Sequence, residues 1–308
     1  MFDITGKRFW FFLISAGVIL IGIISLAVFG LKLGIEFGSG SMMMVSFERE
    51  VDLSQLKQEL ASLGYGSAIV QRTGEGDFFI RTGELTGEDK TQLEGDLAAE
   101  FGQFEEMEFY SVSPRVATET AHNAAIAVAV AAVGVLLYIT WAFRRMPKPF
   151  HYGTCAIIAL VHDVLVVLGI FSILGGIWGW EINLMFITGI LAVIGYSVNN
   201  TVVVFDRIRE NLTKGVSSSF EVVVNNSLVE TLSRSLNTSL TTLFVVLALL
   251  LFVGASIQNF AVVLLIGIIA GTYSSLCIAS LLLIVWEKGE WGRFIQWLPL
   301  PVAKAKGG

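Results

Sequence analysis

The stretch GYSVNNTVVVFDRIREN (195–211) combines an apolar run typical of a membrane-spanning helix with two adjacent amides and a charged end. Asn199 and Asn200 interrupt the apolar run, and four of the five residues at 206–210 are ionisable. An unpaired polar group is costly in hydrocarbon, because no water is present to bond it. The stretch therefore predicts a membrane helix whose polar side chains face other helices.

The composition of the whole chain supports a membrane protein. Of its 308 residues, 54% are hydrophobic and 15% are charged, with a mean hydropathy of +0.73, whereas soluble domains are about 25% charged. The acidic residues are concentrated, since residues 32–120 hold seven Lys/Arg against 17 Asp/Glu. This block predicts a separate soluble domain, and the absence of a basic face argues against nucleic-acid binding.

Six segments have the roughly 20 apolar residues that are needed to cross a membrane. They lie at about 9–31, 123–143, 153–175, 182–205, 236–256 and 260–286. The first is too long for a signal-peptide core and lacks a small-x-small cleavage site, so we expect an uncleaved anchor. The predicted divisions are residues 1–33 with the first span, 34–120 as a domain, 121–290 with five spans and a cytoplasmic loop at about 206–235, and a tail at 291–308.

Basic residues set the expected orientation, because they mark the cytoplasmic ends of spans. The loops GGIWGWEIN (175–183) and GASIQN (254–259) contain none. We therefore expect both termini in the cytoplasm and residues 34–120 outside a cytoplasmic (inner) membrane. The marking residues are Lys7, Arg8, Arg144, Arg145, Lys148, Arg207, Arg209, Lys214, Lys288 and Arg293.

The acidic block shows an alternation of short elements. Strands are predicted at 41–48, 67–72, 77–82 and 106–114, and helices at 52–64 and 86–102. The order β-α-β-β-α-β is that of a ferredoxin-like α+β domain. The predicted fold is thus a polytopic α-helical membrane protein with six transmembrane helices and this domain between helices 1 and 2. The segment GIEFGSG is predicted as a hinge to the domain, through Gly34, Glu36, Gly38 and Gly40.

Polar side chains recur in three successive spans. Asp163 lies near the middle of the third span, Asn200 lies in the fourth, and Arg234 opens the fifth. Each intramembrane charge costs roughly 2.5–3.5 kcal/mol, so we expect these groups to turn toward one another around one axis. The predicted polar seam also contains His162, Asn199, Asn237 and Thr238.

Asp163 is the strongest functional candidate among these residues. Apolar surroundings favour the neutral form of a carboxyl, which a proton carrier requires. Asn199 and Asn200 are predicted as interhelical hydrogen bonders, and the Ser/Thr run after Arg234 fits close packing equally well. Neighbouring helix residues point about 100° apart, so His162 is predicted as a packing donor rather than part of a relay.

A charged cluster ends the fourth span, and its arginines fit both the charge bias of cytoplasmic ends and the helix dipole. The interleaved acids predict pairing with a neighbouring element. The segment SSFEVVVNNSLVETLS (218–233) then predicts an amphipathic helix on the inner membrane surface. We call Arg207, Arg209, Glu210 and Asn211 the cytoplasmic motif, and Asp206 lies directly before them.

These residues resemble the SecF family of bacterial protein-export subunits, which is related to the RND transporters. The resemblance extends over nearly the whole chain. It is carried by FDITGKRFWFFLIS (2–15), GLKLGIEFGSG (30–40), HDVLVVLG (162–169), IGYSVNNTVVVFDRIREN (194–211) and TLSRSLNTSLTTLFVVLALLLFVG (231–254).

The resemblance implies an accessory role in protein export driven by the proton-motive force. It implies SecD as the partner in a 12-span unit, beside the SecYEG channel and YajC/YidC-type subunits. Protons, membrane lipids and a translocating polypeptide complete the implied contacts, with no metal, cofactor or catalytic residue. Asp163, Asp206, Arg207 and Arg234 match charged positions of the family, and the relay candidates are Asp163, Asn200, Asp206 and Arg234.

Two positions depart from the family pattern. The family often has an acid where this chain has Asn200, and a neutral amide cannot bind and release a proton, so that step lies elsewhere or is absent. GIEFGSG replaces the usual GIDFTGG. Two alternatives stay open: a scaffold without proton coupling that stabilises SecD and the channel, and half of an RND-type antiporter for small molecules or lipids. An enzyme is not expected, because no nucleophile–base pair, metal-spaced ligand set or phosphate loop occurs.

Overall fold

The computed structural model describes residues 3–73, 76–252 and 257–292, and those ranges contain six helices long and apolar enough to cross a membrane. The six predicted spans are confirmed, and the chain is a multi-pass membrane protein. Most of the predicted tail at 291–308 lies outside the described residues. The six helices are Thr5–Phe29, Pro114–Ala142, Pro149–Trp178, Leu184–Thr213, Phe220–Phe252 and Gln258–Lys288.

The elements follow one another in chain order. The first span is α1 (Arg8–Phe29), after a 3₁₀ turn (Thr5–Lys7). Then come α2 (Ile35–Gly38), β1 (Gly40–Phe47), α3 (Leu53–Ser62), β2 (Ile69–Arg72), β3 (Phe78–Thr82), α4 (Gly87–Phe101) and β4 (Phe104–Val112). Spans two to five are α5 (Pro114–Ala142), α6 (Pro149–Trp178), α7 (Leu184–Thr213) and α8 (Phe220–Phe252). The sixth span consists of α9 (Gln258–Ser274), a π-helical turn (Ser275–Ala279) and α10 (Ser280–Lys288).

Residues 40–112 form a small domain, named the sheet domain below. Its four strands make one antiparallel sheet in the order β2-β3-β1-β4. Met43, Val45 and Ile80 are buried in one core with Leu56 of α3 and Leu97 of α4. The strand period of two turns these side chains to one face, which the two helices cover. Every predicted strand and helix of the block is present.

The connection between the fourth and fifth spans is shorter than predicted. The sequence predicts a loop at about 206–235 that includes a helix on the membrane surface, but α7 continues to Thr213 and α8 begins at Phe220. The apolar side chains of that predicted surface helix, Val223, Val224 and Leu228, are fully buried inside the protein. The apolar face of this helix therefore packs inside the protein and not on a membrane surface, whereas the cytoplasmic position of residues 206–235 stays a prediction.

Charged side chains join three helix ends at the end of the bundle where α1 begins. Arg8, which is 6% exposed, contacts both carboxylate oxygens of Glu290 at 2.7–2.9 Å and Glu221 at 2.6 Å. Lys288 also pairs with Glu221. Arg8 begins α1, Glu221 lies in the first turn of α8, and Glu290 follows α10. This cluster, named the Arg8 clasp, therefore links the first, fifth and sixth spans.

The sheet domain is attached to the bundle through the loop between α6 and α7. Leu33 and Ile182 form a parallel bridge, in which the Gly34 N–H donates to the Ile182 carbonyl over 2.8 Å. Arg81 of β3 forms an ion pair of 2.7 Å with Glu181 and donates to the Leu33 carbonyl over 2.8 Å. The domain thus has direct contacts to the loop between α6 and α7 besides its two covalent connections.

The glycine-rich segment predicted as a hinge contains the helical turn α2 and then Gly40, whose φ is +127°. A Cβ at Gly40 would meet the Thr82 carbonyl oxygen at 2.5 Å, so only glycine fits there. Gly34 is bonded to the loop, Gly38 packs against Arg81, and Glu36 lies in α2. Contacts therefore hold both ends of this segment, and its role as a hinge stays a prediction.

The Arg81–Glu181 junction predicts a pH dependence of stability. Burial raises the pKa of Glu181 above its ordinary value of 4.5, and nearby Glu36 raises it further, while Arg81 and Lys32 lower it. The folded protein therefore binds this proton more tightly than the unfolded chain does. The stabilisation that this bound proton contributes is complete below the ordinary pKa of Glu181. It is lost as the pH rises through the raised pKa of the folded protein.

Thermal unfolding of the wild type and of Glu181→Gln between pH 4 and pH 7.5 measures this effect. We expect the advantage of the wild type over the variant to shrink as the pH rises. Glu100→Gln, at an exposed position of α4, is the matched control. An equal pH dependence in both variants would contradict the assignment to Glu181.

The first and third spans approach closely at two glycines, and this contact gives a second prediction. A Cβ at Gly169 would lie 2.6 Å from the Gly22 Cα, so Gly169→Val forces the helices apart. We expect a loss of about 1–3 kcal/mol in the free energy of unfolding, measured by denaturation in detergent. Gly17→Val is the control, because nothing lies within 4 Å of its added Cβ. Equal effects of the two substitutions would show that this contact is not tight.

Candidate functional site

The candidate site is built around Asp163, whose carboxyl group is 1% exposed in the middle of α6. Ser197 of α7 donates a hydrogen bond of 2.6 Å to its Oδ2 atom, and Ser274 of α9 donates one of 2.8 Å to the same atom. The Asp163 Oδ1 atom lies 3.0 Å from the Nδ1 atom of His162. The carboxyl group is therefore held by side chains from three spans, as a buried polar group requires.

His162 lies closer to Asp163 than the helix geometry alone suggests. The sequence predicts a packing donor that need not pair with Asp163, because neighbouring helix residues point in different directions. Instead, the imidazole folds back onto the carboxyl group of the next residue, and its ring lies 6.1 Å from that of Tyr273. A long side chain can reach a neighbour that its Cα–Cβ direction does not face, so the two residues form a pair after all.

Hydroxyl groups next to the π-helical turn extend the site. Ser275, at the start of that turn, lies 2.9 Å from the hydroxyl of Thr201 and donates to the Gly271 carbonyl over 2.7 Å. Ser280 donates to the Ser275 carbonyl over 2.8 Å, which satisfies a backbone group in the irregular turn. Single π-helical turns occur frequently at functional sites. In this protein the turn adjoins the serine that holds Asp163.

A second hydroxyl chain joins the fourth, fifth and sixth spans. Tyr196 donates to Ser239 over 3.0 Å, and Ser239 lies 2.6 Å from the hydroxyl of Thr272. The fifth span therefore reaches the bundle interior through Ser239, which lies four residues after the equally buried Ser235. This spacing corresponds to one helix face.

The structure leaves most residues of the predicted polar seam on the outside of the described bundle, so their role stays a prediction. Arg234, Asn237 and Thr238 of α8 are exposed, and so is Asn199 of α7. The physical reason is helix geometry, because Ser235 and Ser239 take the inward face and turn their neighbours outward. The seam that does form joins the third, fourth and sixth spans.

Asn200 is buried, at 9% exposure, and its Nδ2 atom has no hydrogen-bond partner among the described residues. On α7 it lies between the inward face, which carries Ser197 and Thr201, and the outward face, which carries Asn199. A buried amide nitrogen without an acceptor is costly. The Nδ2 atom of Asn200 therefore remains available as a hydrogen-bond donor.

The cytoplasmic motif forms ion pairs, as its interleaved charges predict. Arg207 contacts Glu210 in its own helix and Glu230 of α8, each at 2.5 Å. The amide of Asn211 donates to Glu230 over 2.9 Å and to a buried serine of α8. Asp206 is exposed and pairs with Arg209. These contacts fasten the end of α7 to the start of α8.

Four site residues escaped the sequence reasoning: Ser197, Thr201, Ser274 and Ser275. A signal was present, since Ser197 and Thr201 flank the two asparagines at helical spacing. GTYSS (271–275) is also the most polar part of the sixth span. Serine is common in apolar helices, so only the buried carboxyl opposite distinguishes these residues.

Comparison with known proteins identifies clear relatives. A family model described as "Protein export membrane protein SecD/SecF, C-terminal" matches residues 93–289. The protein translocase subunit SecF of Thermobaculum terrenum is 45% identical, and the match covers 96% of this chain and 97% of that protein. The protein translocase subunit SecDF of Bacillus subtilis is 36% identical, over 94% of this chain and 38% of that protein.

A solved structure gives the same result. The crystal structure of SecDF, a translocon-associated membrane protein from Thermus thermophilus, matches with a TM-score of 0.83 and 31% identity. The match covers 93% of this chain and 39% of that one. This chain therefore spans nearly the whole of the SecF relative and well under half of the SecDF relatives.

The bonds to Asp163 predict a measurable loss of stability in Ser197→Ala. The substitution removes one of the donors to a buried carboxyl, so we expect the free energy of unfolding to fall by about 1–3 kcal/mol. Denaturation in detergent measures the change. Thr241→Ala is the control, because that hydroxyl is exposed and bonds only to its own helix. Equal effects in both variants would remove the special role of Ser197.

Proposed function

The chain belongs to the SecF family of protein translocase subunits, and we propose that it joins a SecD-type partner and uses the proton-motive force to promote the late stages of polypeptide export. The proposal includes a position beside a SecYEG-type channel, with YajC- or YidC-type subunits nearby. The single observation that carries the energy-coupling part is the buried Asp163 with donors from three spans.

Proton binding at Asp163 would change its hydrogen bonds in a defined way. An ionised carboxylate only accepts hydrogen bonds, whereas the protonated acid must also donate one. Ser197 and Ser274 both donate to the same oxygen, Oδ2. A proton on that oxygen removes an acceptor position, so at least one serine has to reverse its hydrogen bond and accept, or give the bond up. Protonation would thereby alter the packing of α7 and α9 against α6.

The available energy is sufficient for such a change. One elementary charge that moves through 100 mV releases about 2.3 kcal/mol. This energy shifts a two-state equilibrium by roughly fifty-fold. A few protons per cycle could therefore bias the position of the sheet domain, which is attached directly above the loop between α6 and α7.

The exposed polar face of α7 and α8 supports a membrane-embedded partner. Asn199, Arg234, Asn237 and Thr238 would face lipid in the isolated chain, and a cationic side chain there is expensive. A SecD-type subunit of similar build could cover this face and supply an acceptor for the open Nδ2 atom of Asn200. In the SecDF relatives one longer chain contains the corresponding region. Arg234 would then act at the subunit interface.

The contacts support the orientation expected from the sequence. The Arg8 clasp and the Lys148–Glu287 pair bring together the ends of the first, third, fifth and sixth spans. Basic residues therefore lie at one side of the bundle. By the positive-inside rule this side would be cytoplasmic, with both termini, and residues 34–120 would lie outside. The cytoplasmic motif with Asp206 would then line the inner mouth of the proton route.

The sheet domain fits the ferredoxin-like class. Its elements follow the order βαββαβ, and its antiparallel strands lie in the order β2-β3-β1-β4. Outside the membrane such a domain could contact the emerging polypeptide. We assign it this role because the Arg81–Glu181 pair attaches it to the loop that joins α6 and α7, two of the helices that form the site.

A second function, a scaffold without proton coupling, is favoured by one residue. Asn200 is neutral, and so it cannot replace an acid in a relay. In that case the chain would stabilise SecD and the channel only through contacts. An antiporter subunit has less support, since six spans with one attached domain would make only half of such a transporter.

Export measurements with and without a proton gradient separate the two functions. In vesicles that contain the channel and the SecD-type partner, we expect Asp163→Asn and Arg234→Met to lose the acceleration by the gradient and to keep the basal rate. The reason is that the first variant cannot titrate and the second lacks its charge at the interface. Glu100→Gln should behave as wild type.

Co-purification with the partner is the accompanying control, because it shows whether the variants still assemble. If both variants assemble and keep the full acceleration, proton coupling through this subunit is wrong and the scaffold function stands.

A further inference from the structure

An apolar groove lies between α5 and the pair α6 and α7, beneath the sheet domain. Its volume is about 590 Å³, and every residue along it is apolar. From α5 it is lined by a face of small side chains that includes Ala125, Val128 and Ala129. Val161 of α6 and Leu33 also line it and are 48% and 44% exposed, so the groove is accessible from outside the protein.

The groove results from the way in which α5 is turned. Its larger side chains point away from the bundle, with Val130 and Leu137 each 64% exposed. Its small side chains point toward the bundle and do not fill the space. Ala125 and Ala129 consequently remain exposed although they face the protein. The chain itself therefore provides no filling for this space at membrane depth.

We propose that this groove binds an acyl chain of a membrane phospholipid. Water is a poor occupant, because a water molecule needs two to four polar partners and the lining offers none. An unfilled space would forfeit dispersion contacts on all sides, whereas a flexible hydrocarbon chain restores them. The surrounding medium of a span is itself hydrocarbon, so the ligand is present at high concentration.

The groove is smaller than a whole membrane-spanning helix, so a helix would not lie inside it. A helix about 10 Å wide that crosses about 30 Å of hydrocarbon fills roughly 2,400 Å³, four times the space in the groove. The observed volume instead falls in the range of about 300–1,000 Å³ that is usual for small ligands. A single narrow chain is the occupant that fits both the size and the chemistry.

The position of the groove gives the bound chain a consequence for the sheet domain. Leu33, Phe37 and Ile182 line the end of the groove nearest that domain. Leu33 and Ile182 also form the bridge that attaches the domain to the bundle. The acyl chain would therefore support the attachment from below. This inference does not depend on proton coupling at Asp163.

Native mass spectrometry of the full chain, purified in detergent with added palmitoyl-oleoyl phosphatidylglycerol, tests the proposal. We expect the wild type to keep one phospholipid that Ala125→Phe loses, because the ring fills the groove. Val130→Phe adds the same ring on the outward face of α5 and should keep the lipid. Ala129→Leu, a smaller change, serves if the first variant does not fold.

A photoreactive amino acid at position 125 in intact cells provides the second measurement. Cross-linking to lipid supports the proposal, and cross-linking to a partner subunit overturns it. Equal lipid retention in wild type and in both groove variants would likewise overturn it.

Discussion

The buried carboxyl group of Asp163 constrains the rest of the bundle. A carboxyl that is removed from water needs several hydrogen bonds, and no backbone group of its own helix can supply them. The donors come from Ser197 and Ser274, which requires α7 and α9 to approach α6 at the same depth. Close approach in turn requires small residues, and a Cβ at Gly271 would meet the side chain of Ser197 at 2.9 Å. One polar group thus accounts for the serines and for a glycine at this helix contact.

The sequence predicts the elements of the fold better than their contacts. Apolar length gives the six spans, and alternation with turn residues gives the strands, because both depend on neighbouring residues alone. The packing of residues 218–233 inside the protein was not predicted, since an amphipathic segment reads the same whether it covers a membrane surface or a protein surface. Val223 and Val224 show that protein covers it here. Only tertiary structure distinguishes the two cases.

The site shows the same division. Asp163 can be predicted, because a carboxyl in an apolar run is rare and expensive. Its partners cannot, because the rotation of each helix about its axis decides which polar residues turn inward. A rotation of about 100°, one residue, exchanges Arg234 for Ser235 on the inward face of α8. The family resemblance predicted the relatives correctly, but it did not predict the rotation of α8.

The Arg8 clasp has a mechanical consequence for the molecule. Separating the first, fifth and sixth spans at that end would leave a buried guanidinium without its carboxylates, at a cost of about 3–5 kcal/mol. The clasp therefore holds those three helices together at that end. Any splaying of the spans must grow with distance from this pivot and be largest at the opposite end.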